Sequence, residues 1–284
     1  LPCLSCQTRF GIQKMLKRLN DGFRRYDDLP RHREKFKALT ALLLLAAAAT
    51  MLSGCAGRPS IRDGASAAPY ASPEAALKRA LPPLFKGALT ATARMELTDA
   101  GSRYPLKAAL MIKAPDSLRL ESIPLIGLPD LFVSLNLGEM RLYAPSKKRF
   151  CIGPATSRNI AKYLYLDIEA ASLVSILLGR PPDDALTGGL LTGAMEEGLY
   201  RIDRRKNDFV FSLWIDPAAD RIVRIMVGKN GIASYDAIFE KHISVDGYIL
   251  PQQIAIDVRK TKKMTLKYAN PQVVPDVGES FTLT

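Results

Sequence analysis

The feature that most constrains the fold is a two-residue alternation of apolar and polar side chains, which returns in short segments along most of the chain. In residues 117–122 (SLRLES), Leu118 and Leu120 fall on one face of an extended segment, and Arg119 and Glu121 fall on the other. Successive side chains of a strand point to opposite faces, so such segments predict half-buried strands. Turn residues separate them, and about ten or eleven such segments predict a mainly β fold with an antiparallel sheet.

Two segments depart from this alternation and predict helices. Residues 74–85 start as a helix after Ser72, a suitable N-cap, and Pro73, which favours the first helical position. Pro82 and Pro83 are expected to end it. Residues 157–178 carry apolar side chains at helical spacing. The glycine-rich stretch 187–198 (TGGLLTGAMEEG) predicts a loop. The sheet is therefore expected to be interrupted by a helix near its middle.

The N-terminal part has the organisation of a targeting signal. Residues 38–52 (ALTALLLLAAAATML) carry no charge and follow Arg31, Arg33, Lys35 and Lys37. The stretch is fifteen residues long, and as a helix it would span about 22 Å, less than the roughly 30 Å hydrocarbon core of a bilayer. A basic region, a short apolar region and small residues after it are typical of a cleaved signal peptide.

The sequence after this stretch, Leu52-Ser53-Gly54-Cys55, resembles a bacterial lipobox. In a lipobox the cysteine thiol receives a diacylglyceryl group, and acyl chains such as palmitate then anchor the mature protein. We therefore expect residues 1–54 to be an n-region and lipoprotein signal peptide, and Cys55 to be the lipid attachment site. Residues 55–73, rich in Ala, Ser, Pro and Gly, are expected to form a flexible tether. Ala56 points to the periplasm-facing leaflet of the outer membrane, and an ordinary signal peptide with a chance cysteine is the alternative.

Composition excludes several classes of function. The chain has 40 Lys+Arg against 28 Asp+Glu, but ten of these cations and four of these acids precede Cys55, so half of the basic excess belongs to the signal segment. A nucleic-acid partner therefore has little support. The only histidines are His32 and His242, and Cys151 is the only cysteine after Cys55. This pattern predicts no metal site and no cofactor.

An enzymatic role also lacks support. A hydrolase could use only His242, which has Ser244 and Asp246 nearby, but no nucleophile motif accompanies them. We therefore predict that the protein is not an enzyme, and an envelope hydrolase that uses His242 is the weakest alternative.

The strands, the lipobox and two further motifs together resemble the LolA/LolB lipoprotein-localisation family, and within it the outer-membrane receptor branch, LolB. The resemblance covers about residues 84–269. In the family a strand of the form RLLL runs into an Asn-Pro-Leu-Gly loop, which the segment 117–127 (SLRLESIPLIG) resembles, and a helix ends as in 176–182 (ILLGRPP). Two departures occur: Ile123 replaces a polar residue before proline, and Ile126 is inserted before glycine.

The resemblance implies an incomplete antiparallel β-barrel over residues 74–270, with helices covering its open side and a C-terminal tail at 271–284. It also implies a hydrophobic cavity for the acyl chains of other lipoproteins. Exposing an acyl chain to water costs about 0.8 kcal/mol per CH₂, so such cargo needs an apolar container. The inward-facing residues that we predict to line it are Met95, Leu97, Leu118, Leu120, Leu131, Val133, Leu135, Met140, Leu142, Phe209, Phe211 and Leu213. Ordinary core packing is the alternative for each of them.

An apolar loop follows the strand at 117–122. Two prolines and a glycine within 123–129 (IPLIGLP) disfavour a regular strand there, so its large aliphatic side chains must either contact a membrane or cargo or fold back over the core. In the family this loop carries an exposed leucine that helps to deliver lipoproteins into the membrane. The predicted membrane-insertion residues are Pro124, Leu125, Ile126 and Gly127, of which Leu125 matches that leucine.

Two further features have alternative interpretations. The basic cluster 259–263 (RKTKK) indicates either protection of an edge strand or contact with anionic headgroups, and the first is favoured. Trp214 alternates with Phe211 and Leu213, which predicts that it lies outside the core as an interfacial aromatic residue.

Three hypotheses for the function follow. The first is an outer-membrane lipoprotein that receives the acyl chains of other lipoproteins from a periplasmic LolA-like carrier and inserts them into the outer membrane. The second is a structural or assembly lipoprotein that uses the same half-barrel for protein contacts. The third is the hydrolase already described.

Overall fold

The structure is a computed structural model that describes residues 69–124, 127, 129–259, 261–275, 281 and 283. All of these residues belong to one compact unit. The predicted signal peptide, Cys55 and the tether as far as residue 68 lie outside the described residues.

Within the described residues, thirteen antiparallel strands form a single sheet, and three α-helices accompany it. The helices are α1 (Pro73–Ala80), α2 (Ser157–Leu164) and α3 (Ala170–Leu177), with short 3₁₀ turns at Pro145–Lys147 and Asp183–Ala185. The strands are β1 (Ala88–Asp99), β2 (Ser102–Lys113), β3 (Ser117–Ser122), β4 (Phe132–Asn136), β5 (Glu139–Ala144), β6 (Arg149–Pro154), β7 (Leu190–Glu196), β8 (Leu199–Lys206), β9 (Phe209–Asp216), β10 (Arg221–Lys229), β11 (Ile232–Val245), β12 (Tyr248–Val258) and β13 (Lys262–Val274).

The first and the last strand in the chain, β1 and β13, lie side by side in the middle of the sheet. The order runs β6-β5-β4-β3-β2-β1-β13-β12-β11-β10-β9-β8-β7, so β1 pairs with β13 and the edges are β6 and β7. The register of the central pair runs from Ala88 opposite Val274 to Asp99 opposite Lys262. The sheet does not close, and α2 and α3 lie in the connection between its two edges. The predicted fold, an open antiparallel barrel with helices, is confirmed.

The strands that the sequence did not predict are the two edge strands, β6 and β7. β7 occupies the glycine-rich stretch that was predicted to be a loop, and it pairs with β8 from Leu190 opposite Arg205 to Glu196 opposite Leu199. Gly193 lies within β7, where a Cβ would come within 2.3 Å of the Tyr200 hydroxyl oxygen. The glycine therefore makes room for a neighbouring tyrosine and does not mark a turn.

The helices differ from the predicted ones in their bounds. Ser72 accepts a hydrogen bond from the Ala75 N–H at 3.2 Å and caps α1 as expected. α1 ends at Ala80, with Leu81 as its C-cap directly before the prolines that were predicted to end it. The predicted central helix is two helices, because Tyr165 adopts a left-handed conformation with φ of 61° and ends α2.

One hydrophobic core holds the described residues together. Its buried residues run from Tyr70 to Tyr268 and come from the sheet and all three helices. Every described strand pairs within this sheet, so residues 69–284 contain the partners that their own folding needs.

Structured residues are found on both sides of the predicted domain bounds, 74–270. Tyr70, placed in the predicted tether, is buried and donates a hydrogen bond to Asp220 at 2.8 Å. β13 continues to Val274, inside the predicted tail. Further along that tail Phe281 and Leu283 are buried, and their carbonyl oxygens accept hydrogen bonds from side chains of β4 and β5.

The basic cluster at 259–263 lies at the turn between β12 and β13 and at the start of β13. Both strands are interior strands of the sheet. The prediction that these cations protect an edge strand is therefore wrong.

Candidate functional site

The concave face of the sheet is lined by aliphatic side chains and covered by residues 155–189, which join the two edge strands. We call this connection the plug. The structure places all twelve predicted cavity residues in the core cluster or against it; Phe209 is half-buried and the others are buried. Sequence alternation therefore identified one apolar face of the sheet.

The space between the sheet and the plug is small. Its volume is about 10 Å³, which is at the lower limit for one water molecule. Four predicted cavity residues contribute to its lining, and the others pack elsewhere in the core. The residues around this space are Met95, Leu97, Leu110, Leu118, Leu120, Leu164, Leu166, Leu173, Leu177, Met264 and Leu266. Every one of them is leucine or methionine, so this interior offers dispersion contacts and no polar chemistry.

The sequence reasoning missed part of this lining. Leu110, Met264 and Leu266 lie on strands that were predicted, and their alternation with polar neighbours could have identified them. Leu166 lies between the two plug helices, where no period applies. Only the tertiary structure could assign it.

The plug packs through α3, which contains no charged residue. Leu173, Val174, Ile176 and Leu177 are all buried there. Gly179 follows the helix at φ of 72°, and a Cβ would come within 2.5 Å of the Pro251 ring on β12. The absence of a side chain therefore allows the end of the plug to approach the sheet closely.

A buried hydrogen bond fixes the end of α3 to the centre of the sheet. The Tyr268 hydroxyl on β13 donates to the Leu177 carbonyl oxygen at 2.9 Å. Burial raises the pKa of Tyr268 above its ordinary value, so the hydroxyl remains a donor throughout the physiological range. This bond also satisfies a carbonyl group in the last turn of the helix.

Two contacts fix the connection between α2 and α3 to the rim of the sheet. The rings of Tyr165 and Tyr104 stack with a centroid separation of 5.8 Å. Asp167 pairs with Arg259 at 3.0 Å in a partly exposed ion pair. Exposed ion pairs of this kind contribute little stability, about 0–1 kcal/mol. Most of the free energy that holds the plug therefore comes from its aliphatic contacts.

The base of the apolar loop between β3 and β4 is held closed by Ser122. Its hydroxyl accepts hydrogen bonds from the N–H groups of Asp130 and Leu131, each at 3.0 Å. Pro124 is half-buried and Gly127 is exposed, with φ of 94°. Leu125 and Ile126 lie outside the described residues, so their insertion into a membrane stays a prediction.

The residues considered for a hydrolytic site do not form one constellation. The Asp246 carboxylate accepts a hydrogen bond from the Val273 N–H at 2.7 Å, which engages it with β13. Burial, and then the nearby Arg221, lower the pKa of His242. The charged groups that act on His242 are Arg221 and Asp216. That the protein is not an enzyme remains a prediction.

Trp214 is on the face of β9 opposite the plug, outside the main core cluster, but it is only 5% exposed. Its ring lies under the guanidinium carbons of Arg224 and Arg201, at 4.4 and 5.1 Å from the ring centroid. The expected outward position is correct, whereas the expected interfacial exposure is wrong. Cys151 is buried.

Within the residues that the structure describes, no helix combines the length and the apolar character needed to cross a membrane. The same residues contain no group of three or more His, Cys, Asp or Glu side chains arranged to hold a metal ion.

Two solved structures share this fold. A DUF1329 family protein from Desulfovibrio piger is 14% identical, with a TM-score of 0.51 over 69% of this chain and 90% of its own. A LolA superfamily protein from Nitrosomonas europaea is 12% identical, with a TM-score of 0.50 over 75% of this chain and 98% of its own. The chain has the open half-barrel fold of these proteins. No protein-family profile matches the chain, and no curated protein matches it by sequence.

Proposed function

We propose that this protein binds the acyl chains of other lipoproteins between its sheet and its plug, and helps to insert those lipoproteins into the outer membrane. The observation that carries the proposal is the interior described above: an unclosed sheet with an apolar face that a single connection of the chain covers, and a space between them lined only by leucine and methionine. The shared fold with a LolA superfamily protein supports it.

The volume of the interior determines how binding must occur. A space of about 10 Å³ cannot hold a fatty acyl chain. Displacement of the plug would vacate the positions of Leu164, Leu166, Leu173 and Leu177 and leave an aliphatic groove. The acyl chain would then replace the same kind of dispersion contact that the plug supplied, which offsets the free energy of opening.

The finer assignment is a role like that of LolB. In this proposal Cys55 carries the lipid anchor in the periplasm-facing leaflet of the outer membrane, and a periplasmic LolA-like carrier delivers the cargo. The loop that contains Leu125 enters the leaflet during delivery. The lipobox resemblance and the apolar sequence of residues 123–129 support this assignment.

A direct test compares an open plug with a locked one. In residues 69–284 with Asp167→Cys and Arg259→Cys, a short bismaleimide can join the two positions that now form an ion pair. Before cross-linking, a fluorescent fatty acid should bind and palmitate should displace it. After cross-linking, binding should be lost, because the plug cannot leave the concave face.

The same variant without cross-linker is the matched control, and Cys151 is buried and should not react. Equal probe binding before and after cross-linking would exclude entry beneath the plug. Absence of probe binding in both states would exclude the acyl-binding function itself. For the finer assignment, Leu125→Glu should block lipoprotein insertion and leave probe binding unchanged.

The alternative of a structural or assembly lipoprotein is favoured by one observation, the nearly filled interior. A protein of that kind keeps its plug in place and binds partners through its surface. Cells depleted of the protein distinguish the two functions: lipoproteins stall in the periplasm if it is an acceptor, and sort normally if it is a scaffold.

A further inference from the structure

An aromatic row crosses the outer face of the sheet near the edge strand β6, where the outer face is the one opposite the plug. Phe132 on β4 lies opposite Tyr143 on β5, which lies opposite Phe150 on β6. The ring centroids are 6.0 Å apart for the first pair and 6.3 Å for the second. Tyr143 is 39% exposed and Phe150 is 43% exposed. Three adjacent strands thus present aromatic rings side by side to the solvent.

Among the described residues, the C-terminal part of the chain contacts the next row of this face. Ser134 and Arg141, the next outward residues on β4 and β5, donate hydrogen bonds to the carbonyl oxygens of Phe281 and Leu283. Both of these C-terminal residues are buried. The two described residues of the C-terminal segment therefore pack over the middle of the outer face, next to the aromatic row.

The aromatic row lies at the same end of the strands as the apolar loop. Phe132 is the first residue of β4, and the loop at 123–131 leads directly into it. Antiparallel pairing brings the last residues of β5 and the first of β6 to that end. The aromatic row and the described ends of the loop therefore lie at one corner of the molecule.

Cations flank this corner. The turn between β5 and β6 carries Lys147, Lys148 and Arg149, which we call the basic turn, and Lys148 and Arg149 are exposed. Burial, and then the neighbouring Arg149, lower the pKa of Lys147. Positive charges are thus crowded at the basic turn. Glu121 on β3, which is beside the aromatic row, pairs with Arg119 at 2.6 Å.

We infer that this corner, the aromatic row with the basic turn, is a docking surface for the anionic headgroups of a phospholipid bilayer. Aromatic side chains favour the headgroup region, where an apolar ring meets a wet boundary. Each nearby Lys or Arg adds attraction to an anionic leaflet that is partly screened by salt. The inference rests on the proposed function, because it gives the orientation in which the proposed membrane-insertion loop would meet the membrane.

The position of the anchor is compatible with this orientation. The chain enters the domain at Tyr70, whose partner Asp220 lies in the β9–β10 turn, at the opposite end of the sheet. Fifteen residues from Cys55 to Tyr70 reach about 50 Å when fully extended. A twelve-residue strand such as β1 spans about 40 Å. The proposed tether is therefore long enough to pass from one end of such a strand to the other.

The test uses residues 69–284 with vesicles of phosphatidylethanolamine and phosphatidylglycerol, and with vesicles of phosphatidylcholine alone. Co-sedimentation should detect binding to the anionic vesicles, and it should weaken as salt rises. Tyr143→Ser with Phe150→Ser should weaken binding about tenfold, because two exposed rings no longer enter the headgroup region. Lys148→Glu with Arg149→Glu should weaken it about tenfold or more, and only on anionic vesicles.

The matched control is Ile238→Ser with Ile249→Ser, which removes two similarly exposed apolar side chains from β11 and β12. It should bind vesicles as the unchanged protein does, and circular dichroism should show that every variant is folded. Control and aromatic variants that weaken equally would overturn the inference, and so would an aromatic variant that binds normally. A change in oligomeric state without a change in vesicle binding would assign the row to contacts between copies and also overturn it.

Fatty-acid probe binding, measured on the same variants, separates this inference from the proposed function. Unchanged probe binding with reduced vesicle binding supports both. Vesicle binding that follows the predicted pattern in a protein that binds no probe would refute the acyl-binding function and leave the docking surface in place.

Discussion

The two arms of the sheet both carry aromatic side chains on the outer face, but only one arm covers them. On β8 to β10 the Trp214 ring lies between Arg201 and Arg224, which are directly opposite it on the two neighbouring strands. On β4 to β6, no described guanidinium group lies over Tyr143 or Phe150, and both are about two-fifths exposed. An outward aromatic residue therefore does not by itself indicate a docking surface. Whether its ring is exposed depends on the side chains opposite it on the neighbouring strands.

The cover of Trp214 is itself fixed by carboxylates. Arg224 pairs with Asp236 through two hydrogen bonds of 2.9 and 2.6 Å, and these raise the pKa of Arg224. Arg201 pairs with Glu196 and Asp203, each at 2.9 Å. Each guanidinium group is thus held in place over the indole ring, which combines cation–π attraction with exclusion of water.

The largest expected difference between the arms is in stability. Trp214→Ala should lower the free energy of unfolding by about 3 kcal/mol, because a nearly buried ring is removed and two cations lose their contact. Tyr143→Ala should lower it by less than about 1 kcal/mol, since much of its ring already contacts water. Urea unfolding followed by circular dichroism measures both, and equal losses would contradict the comparison.

The sequence predicts those features of the fold and site that depend on residues close together in the chain, and it does not predict those that depend on residues far apart in the chain. Alternation identified the interior strands, because their two faces meet different surroundings along their whole length. It missed β6 and β7, each of which pairs on one side only and keeps exposed residues on both faces. For β7 the glycines, which suggested a loop, accommodate Tyr200 and the backbone of Arg205 from the neighbouring strand.

The candidate site shows the same limit. The apolar face of the sheet was predictable residue by residue, because inward position follows from strand period. The sequence could not predict that the plug fills the space against this face. That filling depends on Leu166 and Leu173 lying around the same space as Met95 and Met264, which are far away in sequence. The cover over Trp214 was equally hidden, since Arg201 and Arg224 come from different strands.

A second prediction concerns the cover alone. Trp214 is the only tryptophan in the chain, so its fluorescence reports this one site. Arg224→Met should increase quenching by acrylamide and lower stability by about 1 kcal/mol, since a cation–π contact is lost and Asp236 loses its partner. Stern–Volmer analysis with urea unfolding checks this.

The control for that variant is Arg103→Met. Arg103 also forms a two-bond pair with a carboxylate, Glu96, but its side chain is 70% exposed and no aromatic ring is recorded beneath it among the described contacts. We expect no change in quenching and little change in stability. Similar quenching in both variants would mean that the guanidinium of Arg224 does not shield the ring.

The variant with the smallest expected effect on stability reports membrane contact through its fluorescence. Phe150→Trp in a Trp214→Phe background moves the fluorophore from the covered arm to the bare one. With anionic vesicles its emission should shift to the blue, whereas the unchanged protein, with Trp214 alone, should show no shift. A blue shift in the unchanged protein and none in the variant would place the membrane contact near Trp214 on β8 to β10, and would contradict the docking surface at β4 to β6.

The pairing of β1 with β13 has a consequence for how the chain acquires its structure. Ala88 finds its partner only when Val274 is available, so the centre of the sheet joins residues that are far apart in sequence. Closing such a large loop is slow, and a chain made or exported from its N-terminus exposes one long side of β1 until the final strand arrives. Truncation anywhere before residue 262 removes β13, the strand that joins β12 to β1, so the two arms lose the seam between them.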